Sequence, residues 1–125
     1  MIDFVIHLYP RTKKNSQQML KNHKTGKLYP APSKAFLKYQ EAAGWYIPLK
    51  HGEISKKLNI KALFYIGTDE LVDLVGLLQA LDDILKYYGV IADDNYKIVA
   101  RHDGSEVFID RKNPRTEIEI TDVAP

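Results

Sequence analysis

The chain has 125 residues, of which 45% are hydrophobic and 27% charged, and this composition predicts one globular domain, residues 1–125, with a single hydrophobic core. The chain contains no cysteine, which excludes disulfide bonds, thiol catalysis and cysteine-ligated zinc. No apolar run is long enough to predict a membrane span, and the first residues lack the basic start and apolar stretch of a signal peptide, so we expect a cytoplasmic protein.

The formal net charge of +2 hides a segregation of charge along the chain. Residues 1–40 carry eight Lys or Arg and one acid, a balance of +7, whereas residues 41–125 carry ten bases and fifteen acids, a balance of −5. A basic segment beside an acidic one is typical of a protein that binds a polyanion and holds carboxylates for a metal ion. On charge alone, a solvated surface with unevenly placed charges explains the pattern equally well.

In chain order, the first predicted element is a strand over residues 2–8, ended by Tyr9-Pro10. Residues 11–30 are polar and basic and contain turn-forming residues, which predicts an extended loop or an irregular hairpin. Ser33 is the predicted N-cap of a helix that runs to about Tyr46. Alternation of apolar and polar residues then predicts a strand over residues 58–66.

The best-defined element is a helix over residues 73–88. At 100° per residue its apolar side chains occupy a stripe from roughly 20° to 140°. These side chains belong to Leu74, Leu77, Leu78, Leu81, Ile84, Leu85 and Tyr88. Asp73, Gly76, Gln79 and Asp83 occupy the adjoining polar stripe, and Gly89 is the predicted C-terminal stop.

The last third of the chain predicts strands over residues 96–102, 106–110 and 116–121, with a turn at Asp103-Gly104. The order of strand, helix, strand, helix and further strands predicts an α+β domain. We expect two main helices packed on one face of a mixed β-sheet.

Carboxylates are the residues with the clearest potential for chemistry. The sequence has no nucleophile elbow, phosphate-binding glycine loop or dinucleotide fingerprint, and its four histidines lack metal-ligand spacing, so each histidine is expected at the surface or in a turn. Asp73, Asp83, Asp93 and Asp94 would supply the hard oxygen ligands of Mg²⁺ if the chain doubles back after the second helix. Structural roles are equally open from spacing alone, since Asp73 would suit a helix N-terminus and Asp93-Asp94 a turn.

Residues 73–94 (DLVGLLQALDDILKYYGVIADD) resemble the signature of the RusA family of Holliday junction resolvases, D-x-D-N-x-x-K-x-x-x-D-x-L-x-x-x-G-x-x-x-D-D. The matching residues, in register and without a gap, are Asp73, Asp83, Leu85, Gly89, Asp93 and Asp94. The segment Pro10 to Asn15 (PRTKKN) and the strand near the end of the chain also fit. The likeness extends over nearly the whole chain and is nearest to versions carried by phages and prophages.

Three positions depart from the family pattern. Val75 stands where the family has an aspartate, Gly76 where it has an asparagine, and Gln79 where it has a lysine. The first change removes a metal ligand, and the last removes a cation that would stabilise the reacting phosphate. Water would complete the coordination of the remaining carboxylates, because hard-cation sites commonly retain water.

The resemblance implies a metal-dependent endodeoxyribonuclease that resolves four-way DNA junctions by paired cuts and acts as a homodimer. Asp73 and Asp94 would bind Mg²⁺, or Mn²⁺ in its place, with Asp83 and Asp93 as further ligands or as residues that orient water. The residues implied to contact DNA are Arg11, Lys13, Lys14, Asn15, Lys24 and Lys27.

Two other functions remain open from the sequence. The three departures are compatible with a protein that binds branched DNA without cutting it. A protein-interaction domain with no role on nucleic acid would also fit, and it predicts no salt-dependent affinity for DNA.

Overall fold

The computed structural model describes residues 2–13, 18–48 and 53–123. These residues form a small α+β domain with a mixed sheet and two helices, which confirms the predicted fold class. The elements are β1 (Ile2–Ile6), β2 (Gln18–Lys21), β3 (Leu28–Ala31), α1 (Lys34–Ala43), a 3₁₀ turn (Gly44–Tyr46), β4 (Leu58–Ile66), α2 (Leu74–Tyr87), β5 (Val99–Arg101), β6 (Glu106–Ile109) and β7 (Arg115–Asp122). Neither α-helix in the described ranges has the length and hydropathy that a membrane span requires.

The main sheet is built around β4. One edge of β4 pairs antiparallel with β7, and β7 pairs antiparallel with β1. The other edge of β4 pairs in parallel with β5 near its start and with β6 near its end. Strands β2 and β3 form a separate antiparallel hairpin, in agreement with the irregular hairpin expected before Ser33.

The alternating pattern of β4 places one set of side chains in the core. Leu58, Ile60, Ala62, Phe64 and Ile66 are all buried, as expected for the covered face of a central strand. The buried residues of β7 continue this face, and α1 and α2 pack their apolar residues into the same hydrophobic core. The open face of the sheet carries the intervening residues, which are only partly buried.

The two helices are capped and joined by specific contacts. The Ser33 hydroxyl accepts a hydrogen bond from the Phe36 amide at the start of α1, as predicted. Regular α-helix ends at Ala43 and continues only as the 3₁₀ turn. Near that turn the Tyr88 hydroxyl donates to the Gln40 carbonyl oxygen over 2.6 Å. A Cβ atom on Gly44 would lie 2.7 Å from the Tyr88 Oη atom, so a residue without a side chain permits this approach.

The strands after α2 differ in extent from the sequence-based expectation. A turn in which the Ile98 and Val99 amides donate to the Asn95 carbonyl oxygen replaces the start of the predicted strand over residues 96–102. The turn at Asp103-Gly104 is present, with Gly104 at φ 87°. It does not reverse the chain, because β5 and β6 both run parallel to β4.

Truncation of a buried leucine of α2 should lower the free energy of unfolding much more than truncation of an exposed leucine before the helix. Leu85 is 0% exposed whereas Leu71 is 100% exposed. We expect Leu85→Ala to lower the free energy of unfolding by about 2–5 kcal/mol, the usual loss for a truncated core leucine. Leu71→Ala should change it by less than about 0.5 kcal/mol. Urea denaturation measures both, and equal effects would contradict the packing described.

Candidate metal and nucleic-acid site

The end of α2 turns the chain back beside the helix. Gly89 adopts φ 71°, the left-handed conformation that glycine adopts without strain. The Gly89 amide donates to the Lys86 carbonyl oxygen, and the Val90 amide donates to the Leu85 carbonyl oxygen; together these two bonds are the Schellman pattern of a helix end. Ile91 is buried and bridges to Ile54, which anchors the returning loop.

This reversal brings together three of the four predicted acidic residues. The side chain of Asp94, on the returning loop, lies within hydrogen-bonding reach of the side chains of Asp93 and Asp83. Burial raises the pKa of the Asp94 carboxyl, and the two neighbouring carboxylates raise it further. Two carboxylates this close repel unless a proton or a cation lies between them. We call Asp83, Asp93 and Asp94 the carboxylate cluster.

Two lysines pair with two of the three side chains of the carboxylate cluster. Lys13 Nζ lies 2.7 Å from Asp83 Oδ2, so a residue expected to contact DNA pairs instead with a predicted metal ligand. Lys86 Nζ lies 3.1 Å from Asp93 Oδ1. The Asp94 amide and the Lys86 ammonium hold the pKa of Asp93 below its usual value. Sequence reasoning missed Lys86, although it lies three residues after Asp83 on the helix and therefore on the same side.

Asp73 occupies a different position. It is the N-cap of α2, and its Oδ1 atom accepts a hydrogen bond from the Val75 amide over 3.1 Å. Asp83 lies ten residues further along the helix, which corresponds to about 15 Å at the usual rise per residue. The helix therefore separates Asp73 from the carboxylate cluster, and the set that the structure assembles is Asp83, Asp93 and Asp94.

Two of the positions that depart from the family pattern lie at the start of α2, where the segment before the hairpin reaches Gly76. Val75 is 61% exposed. Gly76 is buried, and a Cβ atom built on it would lie 3.4 Å from the Thr12 Cγ2 atom. Thr12 therefore lies at ordinary contact distance from this position, and it precedes Lys13 with its contact to Asp83.

The basic residues implied to bind DNA lie on two surfaces. Arg11 follows β1, and its guanidinium lies 5.4 Å from the centre of the Tyr9 ring. Lys24 and Lys27 lie in the turn of the β2–β3 hairpin, where both are exposed. Lys14 and Asn15 fall outside the described residues.

The hairpin that carries these lysines is exposed from Met19 to Pro30. The Asn22 side chain shapes its turn by accepting a hydrogen bond from the Lys24 amide over 2.9 Å. Met19 and Leu28 are 60% and 65% exposed.

A buried acid and a histidine form a pair that sequence reasoning did not identify. His102 Nε2 lies 2.9 Å from Asp82 Oδ2, and His102 Nδ1 donates to the Ile60 carbonyl oxygen over 2.9 Å. His102 begins the turn at Asp103-Gly104, as the expectation for the histidines allows, but its ring is half-buried and bonded on both nitrogens. Asp82 was missed because the α2 periodicity places it next to the core stripe, where a carboxylate is unusual.

The chemistry of the carboxylate cluster suits a hard cation. Within the described ranges, no group of three or more His, Asp or Glu is arranged as a ready-made metal site. The oxygen atoms of Asp83 and Asp94 are nonetheless the donor type that Mg²⁺ prefers, and Mg²⁺ usually keeps several waters beside one or two carboxylates. Asp83 and Asp94 would therefore hold the ion, with Asp93 beside them.

Comparison with known proteins adds no family assignment. No protein-family model matches the chain, and no curated protein matches its sequence significantly. The likeness to the RusA family therefore depends on the motif residues themselves, of which Asp83, Asp93 and Asp94 lie together in the structure.

The Asp82–His102 pair predicts a pH-dependent contribution to stability. Burial lowers the pKa of His102, but the hydrogen bond and charge of Asp82 outweigh it, so the pKa lies above its ordinary value of 6.5. The stabilisation is therefore present below pH 6.5 as long as Asp82 is ionised, and it is lost as the pH rises through the raised pKa of His102. On the acid side, burial raises the pKa of the Asp82 carboxyl and brings the loss of its charge to a higher pH.

We expect His102→Ala to lower the free energy of unfolding by about 2–3 kcal/mol at pH 6, because Asp82 then loses a charged hydrogen-bond partner. The loss should be smaller at pH 9. Urea denaturation at the two pH values measures it, with His23→Ala in the exposed hairpin as the control. A loss that does not change with pH would mean that His102 has the same charge at both pH values.

Proposed function

We propose that this protein is a metal-dependent endonuclease that acts on branched DNA, as the likeness of residues 73–94 to the RusA signature implies. The observation that carries the proposal is the close approach of the Asp83 and Asp94 carboxyl groups. Such an approach is unfavourable without a bound proton or cation, and it brings together two residues of the resembled signature from different elements.

The lysines around the carboxylate cluster suggest how the site accepts a phosphate. Lys13 and Lys86 pair with Asp83 and Asp93. Bound Mg²⁺ would activate water and neutralise charge on the phosphate. With a divalent cation held by the carboxylates, the ammonium groups of Lys13 and Lys86 would be available to a phosphodiester. Lys13 would then serve as a DNA-binding residue, the role that the resemblance implies.

The basic hairpin extends the proposed DNA surface. Lys24 and Lys27 are exposed at its turn, and neutralising phosphates with such side chains supplies most non-specific affinity for DNA. Paired cuts in a two-fold symmetric junction require two active sites, so the proposal includes a homodimer.

A second candidate function is binding of branched DNA without cleavage. It is favoured by Val75, which is 61% exposed where the resembled signature has an aspartate. It is also favoured by the position of Asp73, which the length of α2 places about 15 Å from Asp83. The two candidates predict the same salt-sensitive binding and differ only in cleavage.

Incubation with a labelled four-way junction and a matched linear duplex, with Mg²⁺ or with EDTA, tests the proposal. We expect symmetric nicking of the junction only in the presence of the metal. Binding of the junction without nicking would support the second candidate. Neither binding nor nicking would refute both.

Single substitutions distinguish a metal site at the carboxylate cluster from a metal site at Asp73, the N-cap of α2. We expect Asp83→Asn and Asp94→Asn to reduce the cleavage rate by roughly 10²–10³-fold, the usual cost of losing an electrostatic contact in a transition state. Asp73→Asn should leave cleavage within about two-fold, because asparagine is an equally good N-cap. Loss of cleavage in Asp73→Asn alone would move the metal site to the start of α2.

The hairpin lysines predict a change in salt dependence. We expect the double substitution Lys24→Ala and Lys27→Ala to reduce the slope of log Kd against log salt by about 1–2, since each phosphate contact contributes about 0.9. Fluorescence anisotropy with a labelled junction measures this slope. The control is Lys56→Ala, whose lysine pairs with Asp122, and an equal change in the control would exclude a specific role for the hairpin.

A further inference from the structure

A groove of about 310 Å³ lies between α1 and the segment that follows β1. Its walls are mainly apolar and include Leu8, Tyr9, Ala35 and Tyr39, and the cations Arg11 and Lys38 line it as well. A smaller concavity shares Tyr9, Arg11 and Ala35 with the groove and also includes Glu70. The groove itself is lined by two cations and no acid.

The two cations of the groove are available to a ligand. Neither Arg11 nor Lys38 forms an ion pair with an acid in the described part of the chain. The Arg11 guanidinium lies over the Tyr9 ring instead. An apolar wall with an aromatic ring and two unneutralised cations fits a ligand that has a flat apolar body and a negative charge. A nucleotide has both features.

The groove and the carboxylate cluster are connected by one short segment. Tyr9 and Arg11 line the groove, Thr12 lies over Gly76, and Lys13 contacts Asp83. The backbone from Arg11 to Lys13 spans at most about 7 Å, which is comparable with one nucleotide of an extended single strand, and the Lys13 side chain covers the remaining distance to Asp83. A strand whose base enters the groove would therefore carry a neighbouring phosphodiester towards Lys13 and Asp83.

We propose that this groove binds one unpaired nucleotide, with its base against Tyr9 and its phosphate at Arg11 and Lys38, beside the phosphodiester that the carboxylate cluster would cut. The inference rests on the proposed function and names the feature of the substrate that the site selects. Bases of an intact duplex are stacked and paired, whereas unpairing costs least where the duplex is already disrupted. The groove thus accounts for a preference for branched over linear DNA.

A binding experiment in EDTA tests the groove without cleavage. The probe is a single-stranded thymidine oligomer that contains one 2-aminopurine and a fluorescein label, mixed with the full chain. We expect a change in 2-aminopurine fluorescence and tighter binding than to a duplex of equal length. Ala35→Trp, which fills the groove from the exposed side of α1, should weaken binding about ten-fold, the loss expected for one stacked base.

Matched variants control the experiment. Ala35→Ser should bind as the unsubstituted chain does, since it leaves the groove open. Arg11→Ala and Lys38→Ala should each weaken binding more than Lys34→Ala, which removes a cation of α1 that does not line the groove. If circular dichroism shows that Ala35→Trp does not fold, Arg11→Ala and Lys38→Ala decide whether the groove binds the oligomer.

Three outcomes would overturn the groove assignment. These are unchanged binding by folded Ala35→Trp, equal effects of Lys38→Ala and Lys34→Ala, and tighter binding of a polyglutamate peptide than of the oligomer. Failure of the proposed function looks different, since groove-dependent binding of the oligomer without metal-dependent cutting would refute the nuclease and leave the groove assigned. Cutting that is lost in Asp94→Asn but unchanged in Ala35→Trp would refute the groove alone.

Discussion

The packing of α2 against the buried face of β4 is the constraint on which the rest of the structure depends. Leu77, Leu81, Ile84 and Leu85 meet the alternating apolar residues of β4 in one core. This burial fixes the rotation of the helix about its axis. Once Ile84 and Leu85 point inwards, Asp83 lies at the edge of the core, where Lys13 and the returning loop reach it.

Hydrogen bonds of His102 also hold α2 to the sheet, at the point where the pairing of β4 passes from β5 to β6. Asn59 of β4 pairs with Arg101, and Leu63 of β4 pairs with Glu106. Between these two pairs β4 advances four residues and the neighbouring chain advances five, so one extra residue interrupts the pairing. In this interruption His102 donates to the Ile60 carbonyl oxygen and the Ala62 amide donates to the Ser105 hydroxyl. His102 also contacts Asp82 of α2. This hydrogen bond connects the interrupted part of the sheet to the residue before Asp83.

Near the end of α2 the charged side chains form local ion pairs, and the negative charges outnumber the positive ones. Lys13 and Lys86 neutralise Asp83 and Asp93, whereas Asp94 is destabilised as an anion by its burial and its acidic neighbours. The cluster therefore retains affinity for a proton or a cation. The basic residues of the hairpin and of the Arg11 groove lie in the first third of the chain, which carries +7. This separation of charge is what the proposed DNA-binding function uses.

The sequence by itself determined the local elements of this protein. Alternation predicted β4 over residues 58–66, the apolar period predicted α2, and Ser33 and Gly89 predicted a helix start and a helix end, because each signal lies within a few neighbouring residues. Only the tertiary structure decided that Asp94 joins Asp83 while Asp73 stays at the far end of the helix. Tertiary packing also placed His102 against Asp82 and brought Lys13 to Asp83. These contacts join residues 11 to 70 positions apart, and their geometry depends on how the helix, the sheet and the loops pack together, which no local pattern records.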